Sequence, residues 1–234
     1  MPGTSELLLL AIAVAALFLI PRFQRRLEEQ VDEEALGRRA FEAIAQRHSV
    51  RRLKSGEVPA TLARFAKVRR LRVSHYTAHA TDELGVNALA LPGGWVVLTD
   101  GLLALRAAGT MSEDELAAVV AHEMGHIELG HSRRGHVRDQ LGGWATSMGP
   151  TPGGPVGRFV MGLGLKALRR RASRDAETEA DAWACGLLND AGYDVTALEM
   201  FLARTEVWGA SGGLWSTHPS PRTRIAALRA ARAG

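Results

Sequence analysis

The chain is 234 residues long, which allows one ordinary globular domain with a short additional segment. Hydrophobic residues make up 46% and charged residues 23%, close to the averages for folded domains, so wholesale disorder is excluded. The formal net charge is +4, but no nucleic-acid motif accompanies the arginines, so we expect solvated helix faces and no nucleic-acid partner. The single cysteine excludes an internal disulfide framework and a cysteine-based zinc site.

The amino-terminal segment carries an uninterrupted apolar run from Leu7 to Ile20. A spanning helix needs roughly 20 residues, so the run is short, and Arg22, Arg25 and Arg26 follow it rather than precede it. We predict an N-terminal hydrophobic helix within residues 1–27 that anchors a single-pass membrane protein, with the rest of the chain in the cytoplasm by the positive-inside tendency. A cleaved signal segment, which would leave a periplasmic or secreted protein, is the alternative.

The rest of the chain divides into a linker and one domain. Charged and apolar residues alternate with helical period over residues 28–48, which predicts an amphipathic helical linker across residues 28–60. Residues 73–80 and 88–99 are rich in β-branched and aromatic residues, and a Pro-Gly-Gly turn breaks the second stretch, which predicts a small sheet. We expect residues 61–234 to form an α+β, predominantly helical domain.

Capping and turn signals place the later helices. Ser112 begins the sequence Ser-Glu-Asp-Glu, a capping box, so a helix should begin at Glu113 and run toward Gly130. The glycine- and proline-rich stretch at residues 142–164 is expected to form a flexible loop. Further helices are predicted at residues 175–191, 195–208 and 221–232.

The predicted helix from Glu113 carries His122, Glu123 and His126 in the pattern H-E-x-x-H. Histidines four residues apart share one helical face, where both imidazoles can bind a single zinc ion. The neighbouring Glu123 can take a proton from a zinc-bound water and deliver it to a departing amine. The pattern therefore indicates a metallopeptidase with one zinc ion per chain and Glu123 as the catalytic base. A buried helix with incidental histidines is the alternative.

An open catalytic zinc site needs a third protein ligand. The metzincin continuation H-x-x-G-x-x-H is excluded because Leu129 and Ser132 occupy two of its fixed positions. Glu177, in a later acidic stretch, completes a set of two histidines and one glutamate. Asp181 shares a helical face with Glu177 and is expected to accept a hydrogen bond from a ligand histidine. An acidic helix start favoured by the helix dipole is the alternative.

Four separated motifs occur in order along the chain. They are Asn87-Ala-Leu-Ala-Leu-Pro-Gly-Gly94, His122-Glu-Met-Gly-His126, Ser173-Arg-x-x-Glu177-x-x-Ala-Asp181, and Thr217-His-Pro-Ser220 with Arg224-Ile225. Between about residues 71 and 228, the chain thereby resembles the gluzincin peptidases that include the CAAX prenyl protease, the bacterial heat-shock protease HtpX and the mitochondrial Oma-type proteases. The resemblance implies a zincin-like metallopeptidase fold.

The resemblance also implies roles for residues outside the zinc ligands. Asn87 and Ala88 would border the cleft and bind extended substrate through main-chain hydrogen bonds. His218 would lie near the zinc ion and donate to the oxyanion, while Arg224 would arrange that loop. An ordinary turn at each place is the alternative. His131 is not expected to share a face with His126 and is interpreted as structural.

We therefore predict a zinc-dependent endopeptidase that hydrolyses unfolded or misassembled proteins in quality control at the membrane. The CAAX prenyl proteases and HtpX have several membrane spans and this chain has one candidate, so prenylated substrates are not expected. A chaperone-like zinc protein that binds unfolded clients without cleaving them is the alternative. The intact Glu123 argues against that alternative.

Overall fold

The structure is a computed structural model that describes residues 22–82, 85–137, 139, 154–207 and 220–233. For residues 154–172, 206, 207 and 233, only the backbone is described. The elements in chain order are α1 (residues 22–29), α2 (Glu33–Ala45), β1 (Val50–Leu53), α3 (Glu57–Val68), β2 (Thr77–Thr81), β3 (Ala88–Leu91), β4 (Trp95–Thr99), α4 (Asp100–Ala107), α5 (Glu113–Glu128), α6 (residues 131–137), α7 (Gly154–Ala191), α8 (Ala197–Val207) and α9 (Pro221–Ala233). The predicted α+β, mostly helical architecture with a small sheet is confirmed.

The four strands form one mixed sheet in the order β1-β2-β4-β3. The central strands β2 and β4 are parallel, and each outer strand is antiparallel to its neighbour. The predicted Pro-Gly-Gly turn joins β3 to β4, and its Gly94 has a φ of 98°, in the left-handed region that favours glycine. A Cβ atom at Gly94 would also lie 2.4 Å from the carbonyl oxygen of His75. The turn leaves β3 at one edge of the sheet.

Helix α5 lies at the centre of the domain and contacts α3, α7, α8 and the edge strand β3. Its first turn contains the predicted capping box. The Glu115 N–H donates to Ser112 Oγ at 3.1 Å, and the Ser112 N–H donates to Glu115 Oε2 at 2.7 Å. Gly125 allows α7 to approach closely, because a Cβ there would lie 3.1 Å from the Ala180 carbonyl oxygen. The helix with the H-E-x-x-H pattern is therefore held on several sides.

Three local expectations differ from the observed elements. The helix predicted over residues 28–48 is interrupted before α2, where the Asp32 side chain caps the new helix by accepting from the Ala35 N–H at 2.9 Å. Strand β1 lies within the stretch predicted as a linker, and it pairs with β2. Helix α7 already begins within the stretch predicted as a loop, because Pro155 stands in its first turn, where the missing N–H removes no helical hydrogen bond. Residues 142–153 of that stretch lie outside the described residues.

The predicted membrane span is not found. No helix within the described ranges combines the length and the apolar character needed to cross a bilayer. The longest, α7, has 38 residues but includes three consecutive arginines and a later acidic stretch. Residues 7–20, which carried the prediction of an N-terminal hydrophobic helix, lie outside the described ranges. The sequence-based prediction of a single-pass membrane protein is therefore corrected, because the described helices provide no span.

Candidate metal centre

Three side chains with metal-ligating atoms meet where α5 faces α7. The Nε2 atoms of His122 and His126 lie 3.1 Å apart. His122 Nε2 lies 3.5 Å from Oε2 of Glu177, and His126 Nε2 lies 3.5 Å from Oε1 of the same carboxylate. Zinc binds nitrogen and oxygen ligands at about 2.0–2.1 Å, so neighbouring ligand atoms around a tetrahedral ion are about 3.3 Å apart. Both the donor types and their separations therefore fit one tetrahedral zinc ion. Within the described part of the chain, these three residues form the candidate metal-binding group.

The second ring nitrogen of His122 belongs to a buried ion-pair network. Nδ1 lies 2.9 Å from Asp181 Oδ1, and Arg224 of α9 donates to both Asp181 oxygens, from Nε at 2.8 Å and from Nη2 at 2.6 Å. Arg224 also lies 3.5 Å from Glu177. We call His122, Asp181 and Arg224 the buried arm, since all three side chains are at most 5% exposed.

The buried arm shifts the protonation of its members. Burial acts to lower the pKa of His122, as does the charge of Arg224, but hydrogen bonds with Asp181 and Glu177 outweigh both and raise the pKa to about 9. Burial acts to raise the pKa of Asp181, but hydrogen bonds with His122 and Arg224 hold it below its usual value. The carboxylate is therefore kept as an acceptor for Nδ1–H. A metal ion held by His122 would replace the proton on Nε2, and with Nδ1–H facing Asp181 the Nε2 lone pair would then face the candidate metal position.

His126 is held through a different set of side chains. Its Nδ1 lies 2.8 Å from Nδ1 of His131, whose Nε2 lies 3.2 Å from Glu179 Oε2. Arg134 Nη2 donates to that same carboxylate oxygen at 2.9 Å. We call His126, His131, Glu179 and Arg134 the open arm, because the Glu179 and Arg134 side chains are 48% and 37% exposed. Burial lowers the pKa of His131, which favours its neutral form.

The contact of His131 differs from the sequence-based expectation. Helical spacing from His126 placed it on another face, but α5 ends at Glu128 and Gly130 takes a φ of 69°. The left-handed glycine redirects the chain, and α6 then brings its first residue back against the His126 ring. The position of Gly130, two residues after the last helical residue, was the available signal.

The remaining predicted residues lie on α5, at the start of the edge strand β3 or outside the described residues. Glu123 is 3% exposed on α5, next in sequence to His122. Asn87 immediately precedes the edge strand β3, and its N–H donates to Thr99 Oγ1 at 2.9 Å, while Ala88 is buried as the first residue of that strand. Because β3 contacts α5, the edge of the sheet borders the helix of the candidate centre. His218 lies outside the described residues.

A cavity of about 690 Å³ opens beside the candidate centre. His126 and Glu177 form part of its wall, together with the outer members of the open arm. Among the described residues that line the cavity, none belongs to the buried arm. Of the candidate ligands, His126 and Glu177 are thus accessible from the side of α6 and α7.

Comparison with known proteins gives a family assignment that agrees with this geometry. The family model of peptidase family M48 matches residues 52–232, which include all the predicted site residues. The chain belongs to peptidase family M48. The predicted metallopeptidase family is thereby confirmed.

Individual relatives of this M48 member match over part of their length. The chain is 31% identical over 152 residues to metalloprotease LoiP of Escherichia coli, covering 62% of this chain and 58% of LoiP. It is 27% identical over 205 residues to mitochondrial metalloendopeptidase OMA1 of Schizosaccharomyces pombe, covering 82% of this chain and 59% of OMA1. The match to the crystal structure of S. mikatae Ste24p has a TM-score of 0.46 and 17% identity, and covers 96% of this chain and 64% of that one. The chain therefore spans less than two thirds of the length of each of these proteins.

Proposed function

We propose that this M48 member is a zinc-dependent metalloendopeptidase whose metal is held by His122, His126 and Glu177. The observation that carries the proposal is the convergence of two imidazole nitrogens and a carboxylate at separations of 3.1–3.5 Å. Two histidines and one glutamate are a donor set of catalytic zinc sites that keep a position open for water or substrate. The family assignment and the names of the relatives, a metalloprotease and a metalloendopeptidase, support the same activity.

Each residue of the site has a proposed task in peptide-bond hydrolysis. A bound zinc ion would lower the pKa of a water ligand and polarise the scissile carbonyl. Glu123 takes the proton of the attacking water and passes it to the nitrogen of the departing amine. His218 donates a hydrogen bond to the oxyanion of the substrate. Asp181, backed by Arg224, holds the Nδ1 proton of His122 and so orients its ring.

The edge strand β3 is the proposed binding site for extended substrate. An edge strand presents unpaired main-chain groups that can pair with another extended segment. Asn87 and Ala88 stand at its beginning, and the Asn87 Oδ1 atom is buried without a hydrogen-bond partner among the described residues. Main-chain hydrogen bonds depend little on the side chains of the substrate. We therefore propose unfolded or misassembled proteins as the substrate class.

Replacing the proposed base tests this assignment. Glu123→Gln should lower the rate of casein fragmentation by roughly 10²–10⁴-fold, because general-base catalysis contributes about that much. About one zinc ion per chain should remain bound, since Glu123 is not among the proposed ligands. Glu113→Gln is the matched control, because Glu113 is exposed in the first turn of the same helix.

Three measurements distinguish the outcomes. Unfolded casein is incubated with each variant, with and without a chelator, and casein fragments, bound casein and bound zinc are quantified. Full activity of zinc-loaded Glu123→Gln would show that the mechanism is wrong. Binding of casein by the wild-type chain without chelator-sensitive fragments would instead support the non-cleaving, chaperone-like alternative.

A further inference from the structure

We propose that His131 is a positioning residue for His126, and that Glu179 and Arg134 hold His131 in the tautomer required for this task. The inference rests on the proposed zinc site and extends it to His131, which sequence spacing had assigned a structural role. What carries it is the continuous chain of short polar contacts from His126 to Arg134 in the open arm.

The two nitrogens of the His126 ring face different partners. Nε2 faces His122 and Glu177, at 3.1 and 3.5 Å, whereas Nδ1 faces His131 at 2.8 Å. His131 therefore contacts the far side of the ring and is not a further member of the ligand group. A separation of 2.8 Å between two imidazole nitrogens requires one proton shared as a hydrogen bond.

The direction of that hydrogen bond follows from metal ligation. A metal bound through Nε2 of His126 uses the lone pair of that atom, so the neutral ring carries its proton on Nδ1. His126 Nδ1–H then donates to His131 Nδ1, which has to be unprotonated. The proton of a neutral His131 consequently stands on Nε2, where it faces Glu179 Oε2 at 3.2 Å.

The outer end of the open arm completes this order. Arg134 donates to Glu179 at 2.9 Å and keeps the carboxylate in place as an acceptor for His131. The N–H groups at His126 Nδ1, His131 Nε2 and Arg134 Nη2 thus each face an acceptor. The opposite tautomer of His131 would set two N–H groups against each other at His126 and leave its Nε2 lone pair facing a carboxylate oxygen. The observed contacts therefore select one orientation of the His126 ring.

The side chain of His131 is itself enclosed. It is 7% exposed, between the start of α6 and the α7 residue Glu179, although the carboxylate it contacts is 48% exposed. The arm therefore connects a candidate metal ligand of α5 to both elements that follow it. Outer partners of metal-ligating histidines typically contribute 10–100-fold to metal affinity or activity.

Two substitutions at His131 separate positioning from bulk packing. His131→Leu removes the acceptor for His126 and should raise the Kd for zinc by about 10–100-fold. His131→Asn places an amide oxygen as many bonds from Cα as Nδ1, so it should restore most of the zinc affinity. His75→Leu is the matched control, because His75 is exposed and lies outside the open arm.

The experiment measures zinc Kd by chelator competition and the visible spectrum of the cobalt-substituted full chain. We expect weaker zinc binding and an altered cobalt spectrum in His131→Leu, near wild-type values in His131→Asn, and no change in His75→Leu. Unchanged Kd and spectrum in folded His131→Leu would overturn the inference. Equal losses in the Leu and Asn variants would also overturn it, because they would show a packing effect alone.

A further variant covers the case in which His131→Leu does not fold. Glu179→Leu removes the carboxylate that faces His131 Nε2, at a side chain that is half exposed. This substitution should raise the zinc Kd several-fold. An unchanged Kd there would overturn the inference. Absence of zinc binding by the wild-type chain would overturn the proposed metal site together with it. If zinc binding depends on His131 but the chain cleaves no casein, only the proposed peptidase activity is wrong.

Discussion

The two candidate ligand histidines stand on one helix but are held in opposite ways. In the buried arm, Asp181 contacts His122 directly, and both carboxylate oxygens are taken by Arg224, with every member at most 5% exposed. In the open arm, a neutral His131 separates His126 from its carboxylate, and the outer pair is 37% and 48% exposed. Charges in the first arm depend on each other because water does not screen them, whereas charges in the second are screened. The buried arm should therefore contribute more to the free energy of unfolding, and the open arm should contribute mainly to the affinity for the metal.

The largest expected effect comes from removing the arginine of the buried arm. Arg224→Met removes the buried arginine that faces the carboxylates of Asp181 and Glu177, which should lower the free energy of unfolding by about 3–5 kcal/mol. The matched substitution in the open arm, Arg134→Met, should cost within about 1 kcal/mol because its partner Glu179 is half exposed.

Urea denaturation in the presence of a chelator measures both variants without a metal contribution. Because the two substitutions are identical, their side-chain propensities largely cancel. Equal losses of stability would show that the distinction between the two arms is wrong.

An intermediate effect is expected where α5 meets α7, the two helices that carry the three candidate metal ligands. Gly125→Val should lower the free energy of unfolding by about 1–3 kcal/mol, since overpacked contacts cost about that much. Its Cβ would meet the Ala180 carbonyl oxygen at 3.1 Å and the Trp183 ring at 3.3 Å. Zinc affinity should fall as well, because the contact sets the distance between the histidines and Glu177.

Gly135→Ala is the control for this change. A Cβ at Gly135 meets no atom within 4 Å, so alanine should stabilise α6 by up to about 1 kcal/mol. Thermal unfolding and chelator competition measure both variants. A Gly125→Val protein with wild-type melting temperature would contradict the close helix contact.

The smallest effect is expected at an ion pair remote from both arms. Arg51 on β1 donates to both oxygens of Asp100, and this hydrogen bonding lowers the pKa of Asp100 below its ordinary value of 3.8. Because the folded pKa is the lower one, the pair stabilises the protein above pH 3.8, and the contribution is lost as pH falls through the folded pKa. Both side chains are partly exposed, so Asp100→Asn should cost within about 1 kcal/mol at neutral pH.

Urea denaturation of wild type and Asp100→Asn across the acid range checks the sign of this effect. The difference in stability should shrink as the pH falls, and zinc affinity should remain unchanged. A loss of zinc affinity in Asp100→Asn would show that the two arms are not distinct from ordinary ion pairs of the fold.

Strand β1 shows why part of the fold was not predictable from the sequence. Its Val-Arg-Arg-Leu sequence has no alternation of apolar and polar residues, and the two arginines are exposed. The strand forms because its backbone pairs with β2, from Val50 opposite Thr81 to Leu53 opposite Ala78. Such pairing joins residues 25 to 31 positions apart, and main-chain hydrogen bonds leave little trace in local sequence.

The sequence by itself determined the features that depend on neighbours within one or two helical turns. The capping box at Ser112 set the start of α5 at Glu113, and the four-residue spacing set both histidines on one face. The position of Glu177 and Asp181 on one face of α7 has the same local origin, because these residues are also about one turn apart.

Only the tertiary structure decided how each histidine is held. Arg224 reaches the buried arm from α9, about a hundred residues after His122, and Glu179 meets His131 from a helix 48 positions later. The left-handed turn at Gly130 decided that His131 faces His126 at all. Side chains so far apart in sequence meet because helices pack on one another, and a local pattern records which face of a helix is buried but not which residue of another element lies against it.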